Sequence, residues 1–332
     1  MRGFVRSLGV LVVLAVVCVV AAGLWFRREV SSDRSYPKSM VNVVVPRGAT
    51  GHDVARLLAK NGVIASPLTF ELLARLRREQ SAMKAGEFEF EPHRTQDEVL
   101  RAIVEGGAQI AVWVTIPEGF TAKQIARTLA DRGLGSDAAF TRTFLHESLD
   151  IAGLRTPSLE GYLFPDSYLI PTGADPPHIA KIFTDAFRAK LPSDARARAR
   201  ALGLTIPQVV TLASLVEREA KVDSERPLMA GVYYNRLRLH MPLEVDATIE
   251  YAFAKHKTVI TYADLAIDSP YNTYKYAGLP PTPIANPGEP SLDAAFHPKA
   301  SSYLYYVYAG NGRSAFARTL AEHNANVARY LH

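Results

Sequence analysis

Two glutamates stand two residues apart near the end of TIPQVVTLASLVEREAK (205–221), and they are the most promising chemistry in this chain. At a helical period of ~100° per residue, Val209, Leu212, Ala213, Val216 and Ala220 share one face. Glu217 and Glu219 then fall on its two borders, about 80° to either side, and Arg218 points away into solvent. A carboxylate on the edge of a buried stripe can be half-desolvated, which raises its pKa and suits a proton donor. Periodicity does not choose between the two glutamates, and two surface acids on an amphipathic helix give the same pattern. A border position also predicts that Gln at 217 leaves the fold intact. No HExxH, GxSxG or P-loop pattern occurs, so metalloprotease, serine-esterase and NTPase chemistries lack support. A single Cys excludes an internal disulfide and a multi-thiolate metal site.

The elements that must position such a helix belong to a chain of 332 residues, 48% apolar and 21% charged, a balance that excludes intrinsic disorder. The net charge of +5 is concentrated at Arg2, Arg6, Arg27 and Arg28. The rest is close to neutral and shows no basic stripe, so no nucleic-acid partner is expected. Residues 8–26 carry no charge, and at ~1.5 Å per residue they reach about 28 Å, close to a hydrocarbon core of ~30 Å. They read as a transmembrane helix, with Trp25 and Phe26 at the interface and Arg27 and Arg28 in the headgroup layer. A cleaved signal peptide is the rival, with Val20-Ala21-Ala22 as its cleavage site, but the run is longer than a signal core of ~7–15 residues. Residues 27–41 are polar and read as a linker.

Beyond the linker a repeat recurs at an offset of 71. VVVPRGATGHDVARLLAKNGV (43–63) aligns with VTIPEGFTAKQIARTLADRGL (114–134), each a short strand, a Pro-x-Gly turn, a Thr cap and a helix stopped by Gly. Thr50 and Thr121 are expected as N-caps, Gly62 and Gly133 as left-handed stops. Residues 86–107 repeat the theme more weakly. The pattern resembles the LysM-type peptidoglycan-binding module. Downstream, 176–204 reads as helical, 205–208 as a capping box, 269–290 as a proline-rich loop and 302–308 as an aromatic strand. The fold class is α+β: a transmembrane helix, a LysM-like α+β subdomain at 42–110, and an α+β catalytic domain at 111–332 that contains the second LysM-like unit.

The ordered set LEGYLFPDSY (159–168), LASLVEREA (212–220), YNRL (234–237), LEVDATIEYA (243–252), SPYNTYKYAGLPPTPIANPG (269–288), AAFHPKASSYLYYV (294–307) and AEHNANV (321–327) resembles the endolytic murein transglycosylases, the MltG or YceG-like family. The resemblance runs from the membrane helix to the C-terminus. It implies a cytoplasmic tail at 1–7, a single pass through the inner membrane, and a periplasmic catalytic domain. The partners it implies are glycan strands, the inner membrane and peptidoglycan synthases. The first Glu of the family's S-[IL]-[IV]-E-x-E segment is catalytic, which here is Glu217. Two departures are Ala220, where Thr is common, and Val245-Asp246-Ala247, where a polar-Asp-Pro turn is usual.

A lytic transglycosylase of this kind needs no metal or cofactor. One carboxylate protonates the glycosidic oxygen, then takes the proton of the muramic C6 hydroxyl, which closes on C1 to give a 1,6-anhydro end. Substrate-binding roles fall to Glu160, as a cleft acid or a turn anchor, and to Asn235, Arg236 and Asp246, as orienting groups or satisfied buried polar groups. Tyr271, Asn272 and Tyr274 would form a sugar-stacking wall or an aromatic-packed loop. The rival from another class is an inactive membrane-anchored peptidoglycan-binding scaffold; a secreted glycoside hydrolase would instead leave reducing ends.

Overall fold

The computed structural model describes residues 2–31, 39–46, 48–106, 110–253 and 260–331, with side chains from residue 13 onward. The architecture is α+β, in two compact units. The first comprises Met1–Val112 with Leu169–Ala174, the second Trp113–Tyr168 with Asp175–His332.

The first unit begins with helix α1 (Arg2–Val30). The first five positions of the apolar run 8–26 fall among side chains outside the described residues. Among the described residues no single helix is long and apolar enough to cross a membrane. The helix also continues into the expected linker, because Val30 is buried and Phe26 packs against the same core. Residues 32–38 of that linker lie outside the described residues.

Strand β1 (Val41–Val45) is followed by helices α2 (Gly51–Lys60) and α3 (Pro67–Leu76), then by β2 (Gly86–Phe90) and α4 (Gln96–Glu105). The two strands pair antiparallel, Val43 opposite Phe88. Val43 and Val45 are buried while Val44 is exposed, the period-two alternation of a sheet covered on one face. Thr50 and Thr95 close capping boxes with Asp53 and Glu98, and Gly62 and Gly106 take left-handed conformations at φ 73° and 82°.

Strand β3 (Ala111–Thr115) forms a two-stranded sheet with β6 (Ser167–Pro171), and the chain passes between the units within these strands. The second copy of the repeat thus pairs differently from the first. Its helix α5 (Ala122–Asp131) is capped by Thr121 and Gln124, and Gly133 stops it at φ 74°. Helix α6 (Asp137–His146) and a short hairpin, β4 (Asp150–Ile151) and β5 (Leu154–Arg155), lead into the LEGYLFPDSY segment. Tyr162, Leu163 and Phe164 of that segment are buried. Tyr162 meets Phe187 edge-on at 5.1 Å, and Phe187 belongs to α7 (Pro176–Lys190).

Helix α8 (Ala195–Ala201) precedes α9 (Ile206–Glu219), which carries the two glutamates. Around α9 lie α10 (Arg226–Arg238), α11 (Asp246–Ala252) and α12 (Glu289–Phe296). The aromatic strand expected at 302–308 is β7 (Tyr305–Gly310), in a hairpin with β8 (Arg313–Ala317), and α13 (Leu320–Tyr330) ends the chain.

The caps generate a stability prediction. Thr121→Ala removes the acceptor for Gln124 N–H and half of the capping box, so it should cost about 1 kcal/mol. Denaturant midpoints of the two proteins check this.

Candidate functional site: two acids at one glycine

Helix α9 starts in the expected capping box, Thr205 with Gln208. Ile206 and every residue from Val209 through Val216 are buried, because neighbouring helices wrap α9 on all sides. This corrects the single-stripe reading. Arg218 is likewise half-buried rather than free in solvent, and pairs with Glu250 at 2.8 Å. Near its C-terminal end Glu217 keeps only 6% of its side-chain exposure.

Glu217 Oε2 accepts from Arg226 Nη1 at 3.3 Å and from the Gly288 backbone N–H at 3.0 Å. Arg226 also donates to Asp223 at 2.9 Å and to the Ser291 hydroxyl. A buried ion pair is tolerated when such extra bonds satisfy its remaining atoms. Gln at 217 therefore removes the negative partner of a buried guanidinium, and the expectation of an unaffected fold is corrected accordingly.

Glu219 faces another cluster. The Tyr306 hydroxyl donates to its Oε2 at 3.2 Å, and Tyr306 and Tyr233 share a hydroxyl–hydroxyl bond of 2.8 Å. Burial, and next the charge of Asp246, push Glu219 up to about 6.

The second Pro-x-Gly turn, Pro117-Glu118-Gly119, lies beside Glu217. Gly119 takes φ 77°, and a Cβ there would touch Glu217 Cγ at 3.7 Å and Arg218 Cδ at 3.9 Å. Its N–H donates to Asn286 O, and Asn286 N–H donates back to Phe120 O, each at 2.9 Å. At Gly288 a Cβ would fall on the Glu118 carboxyl group itself. Burial and then the charge of Glu217 raise the Glu118 carboxyl above its ordinary value.

A cavity of about 630 Å³ opens on the neighbouring side of α9, lined by Glu160, Tyr251, Tyr271, Thr282, Lys123 and Arg218 among others. Glu160 is 1% exposed. Its Oε1 accepts from Ala122 N–H at 2.9 Å and Asn286 Nδ2 at 3.1 Å, and its Oε2 from the Tyr251 hydroxyl at 3.1 Å. Burial outweighs these bonds and pushes Glu160 up to about 7. The Tyr251 and Tyr271 rings meet at 4.9 Å, and the Tyr271 hydroxyl bonds Thr282 Oγ1 at 2.7 Å.

The residues singled out from sequence therefore scatter. Glu160 and Tyr271 line the cavity, and Glu217 is one residue from Arg218 in its wall. Asp246 accepts from the Tyr274 hydroxyl at 2.6 Å, on the Glu219 side. Asn235 donates to Ser301 O and Tyr303 O. Arg236 donates to Leu304 O, Pro242 O and Leu243 O, and to Glu244. Asn272 bridges Leu265 O and Ile267 O to the N–H groups of Tyr274 and Lys275. These three side chains are buried and hold loop backbone. Glu118, Arg226, Asn286 and Gly288 were not singled out as site residues. The available signal was the pair of turns PEG (117–119) and NPG (286–288), hidden because the repeat aligns Glu118 with Arg47, which lies outside the described residues.

The sequence pattern of the YceG-like family matches residues 43–329, and the chain belongs to that family. An endolytic murein transglycosylase of Bacillus subtilis (strain 168) is 34% identical over 316 residues, 89% of this chain and 86% of that protein. One of Streptococcus pneumoniae serotype 2 is 30% identical over 356 residues, and the match spans 96% of this chain but 64% of the pneumococcal protein. The crystal structure of a YceG-like protein from Listeria monocytogenes matches with a TM-score of 0.57 at 31% identity, over 87% of this chain and 99% of that one.

Glu160 makes stability depend on pH. In the unfolded chain it titrates at its ordinary 4.5, in the fold at about 7, so the folded state holds the extra proton between these values. The stability it contributes is complete below the lower value and is lost as pH rises through the upper one. The loss approaches about 1.4 kcal/mol per pH unit within that window. Glu160→Gln should flatten this part of the profile, as read from urea midpoints at a series of pH values.

Proposed function

We infer that this chain is an endolytic murein transglycosylase, a lyase acting on peptidoglycan. It cuts the MurNAc–GlcNAc bond within nascent glycan strands, leaves 1,6-anhydroMurNAc ends and so terminates elongation. The carrying observation is that relatives of that name align with most of this chain.

The reaction needs two proton transfers, one onto the glycosidic oxygen and one from the C6 hydroxyl. Glu217 is the catalytic carboxylate. Its placement at the end of a fully packed helix, with Oε2 fixed by Arg226 and Gly288, supports this assignment. The C6 hydroxyl belongs to the sugar being cut, so the nucleophile arrives already oriented and no enzymic nucleophile is required. The adjoining cavity falls within the ~300–1,000 Å³ range of small-ligand sites, and its paired tyrosine rings and buried Glu160 suit a sugar subsite. Tyr274 and Asp246 extend the surface on the Glu219 side. Asn235, Arg236 and Asn272 shape the loops that carry it.

Residues 42–110 serve as a LysM-like glycan-binding module, a reading supported by their strand–helix–helix–strand order and antiparallel pair. Residues 8–26 anchor the chain in the inner membrane with the N-terminus cytoplasmic and the catalytic unit periplasmic. The length of the charge-free run and its aromatic and basic flanks support this. Such an anchor places the site beside synthases that extrude new strands.

Glu217→Gln should lower the rate of anhydro-end formation by at least ~10²-fold, the low end for general acid–base catalysis. Its circular dichroism should stay native, with a lower melting midpoint from the unbalanced Arg226. Glu219→Gln should lose much less. Anhydro-product formation undiminished in Glu217→Gln, but abolished in Glu219→Gln, would reassign the catalytic residue. Deleting residues 1–28 should leave an ectodomain that still cuts purified strands in solution and is released from membranes on fractionation. It should be somewhat less stable, because Phe26 no longer packs on the core.

A further inference from the structure

The Pro117-Glu118-Gly119 turn brings Glu217 a second acid that the reaction assigned above does not use. Glu118 is exposed as a residue, while its carboxyl is tucked against Gly288 and partly desolvated. Glu217 is nearly closed off, so a strand approaching from solvent meets Glu118 first. One glycine stands between them. Gly288 gives its N–H to Glu217, and the missing side chain of the same residue is the space into which the Glu118 carboxyl fits. Gly288 has φ −74° and ψ 172°, a backbone that any residue adopts, so the space and not the conformation calls for glycine. The groups facing Glu118 are Glu217 on α9, Arg226 on α10 and Asp223 in the turn before it. Arg218 lies alongside Gly119. Arg226 lowers the Glu118 carboxyl, but burial and the neighbouring Glu217 outweigh it.

We propose that Glu118 is a second catalytic residue of this reaction, the acid that protonates the glycosidic oxygen while Glu217 receives the proton of the C6 hydroxyl. The proposal rests on the reading of Glu217 and of the reaction given above. In the step, the O–H bond of Glu118 breaks as a proton joins the departing GlcNAc oxygen, which keeps the electron pair of the broken C1–O bond. The C6 oxygen closes on C1, and its proton passes to Glu217. Glu118 ends as carboxylate and Glu217 as acid, and one proton returned from Glu217 to Glu118, directly or through water, restores both. The division follows the surroundings. Glu217 Oε2 already accepts from a guanidinium and an amide, an arrangement suited to a base. The Glu118 carboxyl lies against Gly288 with burial and Glu217 raising it, the direction a proton donor requires.

The test uses the purified full chain and long uncrosslinked strands, with anhydro-end formation followed across about pH 5 to 8. A donor acts while protonated, so the wild-type rate falls as pH rises through the raised value of Glu118. Glu118→Gln should lower kcat about 10²-fold with KM little changed. Its pH profile should lose the part of the alkaline fall that Glu118 causes, leaving the part set by Glu219 and Glu160. Gly288→Ala displaces only the flexible end of the Glu118 side chain, so it should keep its melting midpoint and still lose kcat. A Glu118→Gln variant with a kcat within about threefold of wild type overturns the proposal while leaving the function standing. A wild-type chain that forms no anhydro ends overturns the inferred function, and the Glu118 proposal with it. A Glu217→Gln variant that keeps wild-type activity overturns the proposed division between the two acids, whatever Glu118→Gln does.

Discussion

Asn286 is fully buried, and its side chain ties together segments more than a hundred residues apart. Its Oδ1 accepts from Gly161 and Leu163, each at 2.9 Å, and its Nδ2 donates to Phe120 O and to Glu160. Its backbone meanwhile exchanges bonds with Gly119 and Phe120. The LEG turn, the PEG turn and the NPG turn are thereby fixed to one another. A buried amide left with unmatched partners would cost about 1–3 kcal/mol for each orphaned group, so the knot is specified as a whole or lost as a whole. Gly161 tightens it further, since a Cβ there would overlap Pro283. Two residues beyond Asn286, the same loop delivers the Gly288 N–H to Glu217. The carboxylate on α9 and the one on the PEG turn meet because this asparagine holds both turns.

The charge around this meeting point is compensated unevenly. Arg226 is the buried cation, with an 8% exposed side chain, and it serves Glu217, Asp223 and Ser291 at once. Three carboxylates, Glu118, Glu217 and Asp223, share its field. Burial first, and then the like charge of Glu217, raise the Glu118 carboxyl against the pull of Arg226. On the opposite border of α9, Glu219 sits in a tyrosine-lined pocket with Asp246 nearby and is also raised. One helix thus sets two acids into unlike surroundings, which is how a fold separates proton donors from acceptors.

Local structure was legible where a short-range rule governs it. The Thr50 and Thr121 caps, the Gly62 and Gly133 stops, the Thr205–Gln208 capping box and the opposite placement of Glu217 and Glu219 all follow from spacing. The burial of α9 did not, because a helix enclosed on every side carries no polar face to mark a period. Leu215 and Val210 are as buried as Leu212. The partners of β3 and the packing of Val30 were likewise out of reach, since pairing and docking are fixed by contacts distant in sequence. The site was legible in part. Glu217 stands out by motif, but Glu118 is a lone acid in a Pro-x-Gly turn, and only the fold brings it to Gly288. Asn235, Arg236 and Asn272 resemble ligand-binding groups in sequence, yet their hydrogen bonds go largely to loop carbonyls, because buried backbone must be satisfied before anything else.

The central claim is that a carboxylate on helix α9, with a second acid on the PEG turn beside it, cuts a glycan strand internally without water. Mass spectrometry of the ends released from long, uncrosslinked strands by the intact protein tests it most directly. The account predicts that new muramic ends are 1,6-anhydro, one water lighter than hydrolytic ends, with fragments arising from within the strand. New reducing ends of full hydrated mass, or sugars released only from strand termini, would contradict it.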